Sequence, residues 1–318
     1  MLAFLDFEKP VAELQGKISE LEKLGEGDSA VSIGEEVEKL QSRADDALAD
    51  IYSRLTPWQI TQVARHQSRP HFLDYVDSLI TEWVPLAGDR KYGEDGALLA
   101  GFGRFEGKPV AVMGTEKGSS TKARLTHNFG MARPEGYRKA VRIMELAEKF
   151  GLPVISFVDT TGAYPGIGAE ERGQAEAIAR STKKCLEIGV PNLAIIIGEG
   201  GSGGAIAIAA TNKVLMLQNS IYSVISPEAG ASILWRDAGK AQEAATAMKI
   251  TASDLLEFGV IDGIIKEPAG GAHRHREAVM AATGREIGAF LKEFSAMDAK
   301  EIIAQRRKKF LEIGKSLV

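Results

Sequence analysis

Apolar residues near the amino terminus recur at helical spacing. Val11, Leu14, Ile18 and Leu21 form one stripe, and Val37, Leu40, Ala44 and Leu48 form another. Steps of three and four put such residues on one face of a helix. Between the stripes, GEGDSA (25–30) is turn chemistry. The pattern therefore predicts a helical hairpin whose apolar faces pack in the chain's own core, the ordinary outcome, or against a partner. The segment 56–90 is irregular, with aromatics at Trp58, Phe72, Tyr75 and Trp83. A β-hairpin is predicted over 97–113, turning at Glu106-Gly107-Lys108. Pro134 then starts a helix with Tyr137, Val141 and Met144 on its apolar face, and Gly151 stops it.

From residue 153 the pattern becomes α/β. PVISFV (153–158) predicts a buried strand, followed by a polar, Gly-rich loop, DTTGAYPGIGAEERGQ (159–174). The next helix carries Ala175, Ile178, Ala179, Thr182 and Leu186 on one face. LAIII (193–197) predicts a second buried strand, GEGGSGGAIAIAA (198–210) turns into a helix of small residues, and 214–217 is a third strand. Two strand–Gly turn–helix units in sequence are what βαβ folds require. Ligands in such folds sit at the carboxyl ends of the strands, so both Gly-rich loops are expected to face one site. EPAGGA (267–272) reads as a linker. The tail from His275 reads as helical and ends in Arg306-Arg307-Lys308-Lys309, a solvated helix end beside its own negative dipole or a dock for an acidic partner. The expected organisation is a helical region 1–85, an α/β core 86–266 and a helical tail 267–318.

Composition narrows the function classes. Hydrophobic residues make up 44% of the 318 positions and charged residues 26%, as in soluble globular proteins. A net charge of −4 gives no overall basic field for a nucleic acid. The single cysteine, Cys185, precludes an intrachain disulfide and a Cys-based zinc cluster, and it fits a reducing compartment. No apolar run approaches the ~18 residues of a membrane span. MLAFLDFEKP carries acids and no basic n-region, so it is not read as a signal peptide. The expected location is the cytoplasm. His66, His71 and His127 show no metal-ligand spacing and are expected to be surface or polar-contact residues.

GEGGSGGA fits several patterns at once. Gly198, Gly200 and Gly203 satisfy G-x-G-x-x-G, but the strand that follows ends at Gln218 without the acid that holds a ribose. No Gly-Lys-Ser/Thr follows, so ATP is not expected to bind here. Gly200, Ser202 and Gly204 satisfy the nucleophile elbow G-x-S-x-G, with Asp237, Asp254 or Asp262 and His273 or His275 as triad candidates in chain order. A third reading uses the backbone: glycines at a helix start let N–H groups point at an anion. Gly203, Gly204 and Ala205 fit that role, with Gly162 and Ala163 of the first loop forming or supporting the same kind of site. Tight helix–sheet packing also favours small residues there. Asp159 reads as a loop cap, and Glu170, Glu171 and Arg172 as a helix start. Lys117, Lys122, Arg124 and Arg133 read either as phosphate contacts of a CoA-type substrate or as a solvated loop. Tyr164 and Arg138 complete the candidate substrate contacts.

The stretches 69–118, 128–180, 198–209, 222–235 and 267–274, with DTTGAYPGIGAEERGQ and GEGGSGGAIAIA among them, carry a family resemblance. The chain resembles the alpha subunits of the acetyl-CoA carboxylase carboxyltransferase of bacteria and plastids. Thr161 stands where that family usually has proline, which loosens the loop slightly without removing a functional group. The resemblance implies a crotonase-like spiral of βαβ units with helical extensions at both ends. It implies a partner beta subunit with a zinc ribbon and most acetyl-CoA contacts, while this chain supplies the carboxybiotin side of a shared site and binds no metal. The implied assembly is two alpha and two beta chains. It works with biotin carboxylase, where ATP is consumed, and with biotin carboxyl carrier protein, and its product is malonyl-CoA for fatty-acid synthesis. By motif position, the amides of Gly204 and Ala205 would hold the charge on the biotin ureido oxygen, and no protein general base is required.

Overall fold

The computed structural model describes residues 3–24 and 30–315. The turn predicted at 25–30 lies, all but its last residue, outside them. Helices α1 (Lys9–Leu24) and α2 (Ala30–Ser53) pack on each other, with Val11, Ile18, Leu40 and Ala44 buried. The stripes thus serve core packing. Tyr52 donates its hydroxyl to Glu8 at 3.0 Å, and Arg274 pairs with the same carboxylate at 3.2 Å, which ties the hairpin to the far end of the chain.

The segment read as irregular is ordered. It holds α3 (Pro57–Ala64), α4 (Phe72–Leu79) and β1 (Thr81–Pro85). Helices of eight residues are too short to display a period, although Thr56 and Gln59 form a reciprocal cap with proline at the first helical position. The hairpin is β2 (Leu98–Phe105) and β3 (Lys108–Thr115); Glu106 and Gly107 both have positive φ, as a tight two-residue turn demands. Next come α5 (Thr121–Thr126), α6 (Pro134–Phe150), β4 (Val154–Thr160), α7 (Ile167–Glu170), α8 (Gln174–Glu187), β5 (Asn192–Gly201) and α9 (Ser202–Ala209). β6 (Lys213–Leu217), β7 (Ile221–Ser223), α10 (Pro227–Trp235), α11 (Ala241–Ala247), α12 (Ala252–Glu257), β8 (Gly263–Ile265), α13 (Arg276–Glu293) and α14 (Ala299–Glu312) complete the order.

The strands form one sheet in the order β1-β2-β3-β4-β5-β6-β8, with β7 beside the end of β5. β1 to β3 are antiparallel; from β3 onward the pairs are parallel. Strands β4 and β5 are covered on both faces, which is why they read as unbroken apolar runs. Val158 and Ile196 face Tyr137, Met144, Cys185 and Ile208 of the α6, α8 and α9 layer. Phe157, Ile195 and Ile197 face Phe72, Tyr75, Val279 and Phe290 of the α4 and α13 layer.

Two expectations for the carboxyl-terminal part are corrected. EPAGGA is interior structure: Arg69 forks onto the buried Glu267 carboxylate at 2.6 and 2.9 Å, and Glu267 also accepts the amides of Asn219 and Ala272. The basic stretch at 306–309 is only half solvated. Arg306 is fully buried and donates to the Asn192 and Asn212 side chains and to the carbonyls of Leu186, Ile188 and Val190. Burial pushes its pKa down to about 10, against the raising effect of Cys185 and Glu148. Lys309 pairs with Asp262; Arg307 and Lys308 face solvent.

His66 and His273 stack with ring centroids 3.9 Å apart, and both ring nitrogens of His273 are buried without a partner. Burial, then the His66 charge, lower the His273 pKa from 6.5 to about 2. Folded His273 therefore stays neutral while an unfolded histidine takes up a proton below about pH 6.5. Its contribution is intact above that pH and is lost as pH falls beneath it, at up to ~1.4 kcal/mol per pH unit. Urea midpoints at pH 7.5 and pH 5 should fall more steeply for the wild type than for His273→Gln; equal slopes would contradict this origin of acid sensitivity.

Candidate functional site

The two Gly-rich loops leave adjacent parallel strands at the same level, with Thr160 of β4 paired to Gly200 of β5. Thr160 shapes the first loop by accepting the Gly162 amide at 3.1 Å and donating to the Gly162 carbonyl at 2.8 Å. The loops then touch backbone to backbone. A Cβ at Gly204 would lie 2.6 Å from the Gly162 carbonyl carbon and 2.8 Å from the Ala163 nitrogen, and one at Gly201 would meet the Thr161 carbonyl. Glycine is required at both positions because the other loop occupies the side-chain space.

Helix α9 begins abruptly where β5 ends. Gly201 is its cap residue and Ser202, at φ 50°, makes the sharp entry. An α-helix leaves its first amides without intrahelical acceptors, here those of Ser202, Gly203 and Gly204. The fourth, from Ala205, closes on the Gly201 carbonyl, and Ala205 is fully buried. Ser202 therefore stands beside Gly203 and Gly204 as a candidate donor, and the expected Ala205 amide lies one position further into the helix. Ser202 and Gly203 line a cavity of about 460 Å³ whose walls include Ile206, Tyr222, Val224, Met248 and Leu255. The helix dipole and the unpaired amides make its floor an anion-stabilising surface, and the walls are mainly apolar, with Ser223 and Lys249 among them.

Behind the floor runs a charge network that single residues did not reveal. Lys117 Nζ bridges Asp159 Oδ1 at 3.0 Å and Glu199 Oε1 at 2.8 Å. His71 Nδ1 reaches Asp159 Oδ2 at 3.0 Å, and Arg65 links Glu199 at 2.7 Å to Glu228 at 2.5 Å. Burial opposes the Lys117 charge, yet Asp159 and Glu199 outweigh it and hold its pKa above the ordinary lysine value. Burial likewise pushes the Asp159 pKa up, but Lys117 and His71 bring it well below the usual carboxylate range. Asp159 and Glu199 sit at the ends of the two strands that bear the loops, so Lys117 fixes one loop root against the other. Asp159 is therefore more than a loop cap, and Lys117 neither is solvated nor awaits a phosphate. The available sequence signal was a lone carboxylate ending each buried strand, since such a charge needs a partner.

The remaining predicted residues divide. The Arg133 guanidinium lies over the Tyr164 ring at 4.7 Å, and Tyr164 donates its amide to the Ala132 carbonyl at 3.0 Å, bringing both to the first loop. Gln174, missed from sequence, donates to the carbonyls of both Ala132 and Tyr164 at 2.9 Å. Arg138 is committed to Asp89 at 2.7 Å and Glu135 at 3.0 Å, and Arg172 to Glu135 at 2.7 Å. Lys122 is exposed, and Arg124 donates to the Gly118 carbonyl at 3.2 Å. His127 contacts the Gly96 carbonyl at 2.6 Å, so His66, His71 and His127 all make polar or ring contacts inside the fold.

A serine triad does not form. Asp237 caps Gly239, Asp254 caps its own helix through Thr251, and Asp262 holds the Val214 amide and Lys309. His273 is stacked on His66, and His275 precedes α13. None of them lines the cavity with Ser202. Ser202→Ala should therefore retain most turnover. Loss of all activity, together with labelling of the wild type by a serine-directed phosphonate, would restore the nucleophile reading.

The fold is shared with solved transcarboxylase and carboxylase subunits. The chain superposes on transcarboxylase 12S with a TM-score of 0.57 at 18% identity, over 70% of this chain and 41% of that one. On the beta subunit of P. aeruginosa geranyl-CoA carboxylase the TM-score is 0.56 at 16% identity, over 78% of this chain and 46% of that one. At such identities the likeness is one of fold, the expected crotonase-like α/β class. The family follows from sequence: residues 4–314 match the family described as acetyl co-enzyme A carboxylase carboxyltransferase-like. The acetyl-coenzyme A carboxylase carboxyl transferase subunit alpha of Rhodopseudomonas palustris (strain BisA53) is 66% identical over 100% of this chain and 98% of the relative. Its counterpart from Methylobacterium sp. (strain 4-46) is 65% identical over the full length of both. The chain belongs to the acetyl-CoA carboxylase carboxyltransferase family.

Proposed function

We propose that this chain is the alpha subunit that receives carboxybiotin and, with a beta subunit, passes its carboxyl group to acetyl-CoA to give malonyl-CoA for fatty-acid synthesis. The observation that carries the reading is the start of α9, where unpaired amides open into a cavity with mainly apolar walls. Carboxybiotin, brought by the biotin carboxyl carrier protein, supplies the carboxyl group. The residues at hand suit it: the amides of Ser202, Gly203 and Gly204 would hold the negative charge of a ureido oxygen. Each such donor contributes on the order of 3 kcal/mol in a dry site. Gly162 and Ala163 fix the height of the amides by direct backbone contact, and Arg133 and Tyr164 border the same loop. The cavity wall contains no carboxylate and no histidine, which suits a reaction whose proton goes to the biotin nitrogen.

One anion site serves one charged oxygen, whereas carboxyl transfer develops charge on the ureido and thioester oxygens alike. A buried, uncompensated charge costs several kcal/mol, so the second set of donors belongs to a beta subunit facing this site. That partner holds the zinc and most of the acetyl-CoA contacts, in an assembly of two alpha and two beta chains. ATP is consumed by biotin carboxylase and is not bound here. Among the described residues no group of three His, Cys, Asp or Glu could hold a metal ion, and no helix is long and apolar enough to cross a membrane. We place the complex in the cytoplasm. Metal analysis tests the division of labour. The purified chain should carry no stoichiometric zinc, and the complex with its partner should carry zinc in proportion to the partner; stoichiometric zinc in the pure chain would overturn it.

A further inference from the structure

A second polar cavity, about 310 Å³, lies between α6, α8 and the loop 87–91, apart from the cavity at the start of α9. Arg90, Lys91, Arg142 and Arg180 line it, and none of these four has a carboxylate partner within ion-pair distance among the described residues. The chain as a whole is acidic, at −4, so this concentration of positive charge does not follow from composition. Two carboxylates share the walls, Asp89 and Glu145. Asp89 is spent on Arg138 at 2.7 Å and on the amides of Lys91, Tyr92 and Gly93, and Glu145 lies 4.0 Å from Lys184.

Arg90, Lys91 and Arg180 are exposed and Arg142 is half-buried, but the loop that carries the first two is fixed. Asp89 Oδ1 gathers three consecutive amides at 2.8–3.0 Å and so fixes the loop, with Arg90 at φ 61°. Arg142, on α6, donates to the loop carbonyls of Ala87 at 3.3 Å and Gly88 at 3.0 Å. The scaffold thus fixes the Arg142 guanidinium at the cavity and sets the Arg90 backbone beside it, with neither side chain in an ion pair among the described residues. Burial, and after it the Arg90 charge, lower the Arg142 pKa, while Glu94 acts to raise it. A planar guanidinium fork matches phosphate oxygens in bidentate geometry, and the volume suits a small molecule instead of a polymer.

We propose that Arg90, Arg142 and Arg180 form a binding site for the phosphate groups of a small organic phosphate. The ligand enters between α6 and α8, and Val141 provides an apolar floor. Arg138 stands on the same wall and donates to the Arg172 carbonyl at 3.1 Å, so the cavity adjoins the end of the first Gly-rich loop. Two sources share this chemistry: the phosphates of coenzyme A, which rests on the function proposed above, and a free phosphorylated metabolite, which does not.

The test uses the assembled enzyme, with inorganic pyrophosphate as the probe in calorimetric titrations at two salt concentrations. Pyrophosphate should bind the wild type, more weakly at the higher salt. Binding should weaken at least tenfold in the triple variant Arg90→Ala, Arg142→Ala, Arg180→Ala. Arg180→Glu alters an exposed side chain that makes no hydrogen bond among the described residues, so it supplies a folded variant with the same expected loss. A CoA source predicts a tenfold or greater rise in KM for acetyl-CoA with that for acetyl-pantetheine unmoved; a free-metabolite source predicts both unmoved and pyrophosphate binding indifferent to acetyl-CoA. No binding by the wild type at millimolar pyrophosphate, or equal binding by wild type and Arg180→Glu, would overturn the proposal whatever the enzyme's activity.

Discussion

Gly204→Val in the assembled enzyme should lower carboxyl-transfer turnover by about a hundredfold or more, the scale on which oxyanion donors act. The cause is backbone contact. The new Cβ would stand 2.6 Å from the Gly162 carbonyl carbon and 2.8 Å from the Ala163 nitrogen, neither of which can swing aside as a side-chain tip can. The two loops must part, and the amides at the start of α9 lose their place. Gly203→Ala is the matched control, since its Cβ would meet only Ile178 at 3.3 and 3.5 Å. It should keep turnover within a few-fold of the wild type. Both proteins should assemble with the partner, checked by gel filtration. Near-normal turnover of an assembled Gly204→Val enzyme would remove the donors at α9 from the mechanism.

Lys117→Met should destabilise the chain by about 3–5 kcal/mol, the cost of breaking a buried ion pair from one side. The methionine leaves Asp159 and Glu199 close together without the cation that lay 3.0 and 2.8 Å from them. Two neighbouring carboxylates with reduced compensation acquire raised pKa values in the folded state. Their penalty is therefore greatest at neutral pH and shrinks as pH falls through those values, because protonation relieves the repulsion. The difference in urea midpoint between wild type and variant should be larger at pH 7.5 than at pH 5. Lys117→Arg, which keeps the charge, should recover part of the loss. An unfolding free energy within about 1 kcal/mol of the wild type at both pH values would show that the network does not brace the loops.

The parts of the fold that read clearly in the sequence are those in which local pattern and burial coincide. β4 and β5 are covered on both faces, so their β-branched runs announced them; the glycines after each strand announced the loops. Gly107, Gly151 and Pro134 stand where turn, helix end and helix start require them. α3, α4 and β1 did not read, because eight-residue helices and a five-residue strand carry too little period against a background of aromatics. EPAGGA has the composition of a linker, yet Glu267 is spent on Arg69, a partner distant in the chain. Arg306 looked like one of four surface cations, and only the burial of its face of α14 separates it from Arg307 and Lys308. The site divides in the same way. The sequence offers Gly203, Gly204 and Ala205 as candidate backbone donors, whereas the Lys117, Asp159, Glu199 and His71 contacts arise from sheet order, which brings together residues that local pattern reads one by one.

The direct measurement of the central claim, that this chain holds half of a divided anion site, is carboxyl transfer from carboxybiotin to acetyl-CoA by the chain alone, by the beta subunit alone and by the two combined. The account predicts no transfer above background from either subunit and full transfer from the mixture, abolished to within a hundredth when the mixture contains Gly204→Val. Full activity of the isolated chain would contradict it.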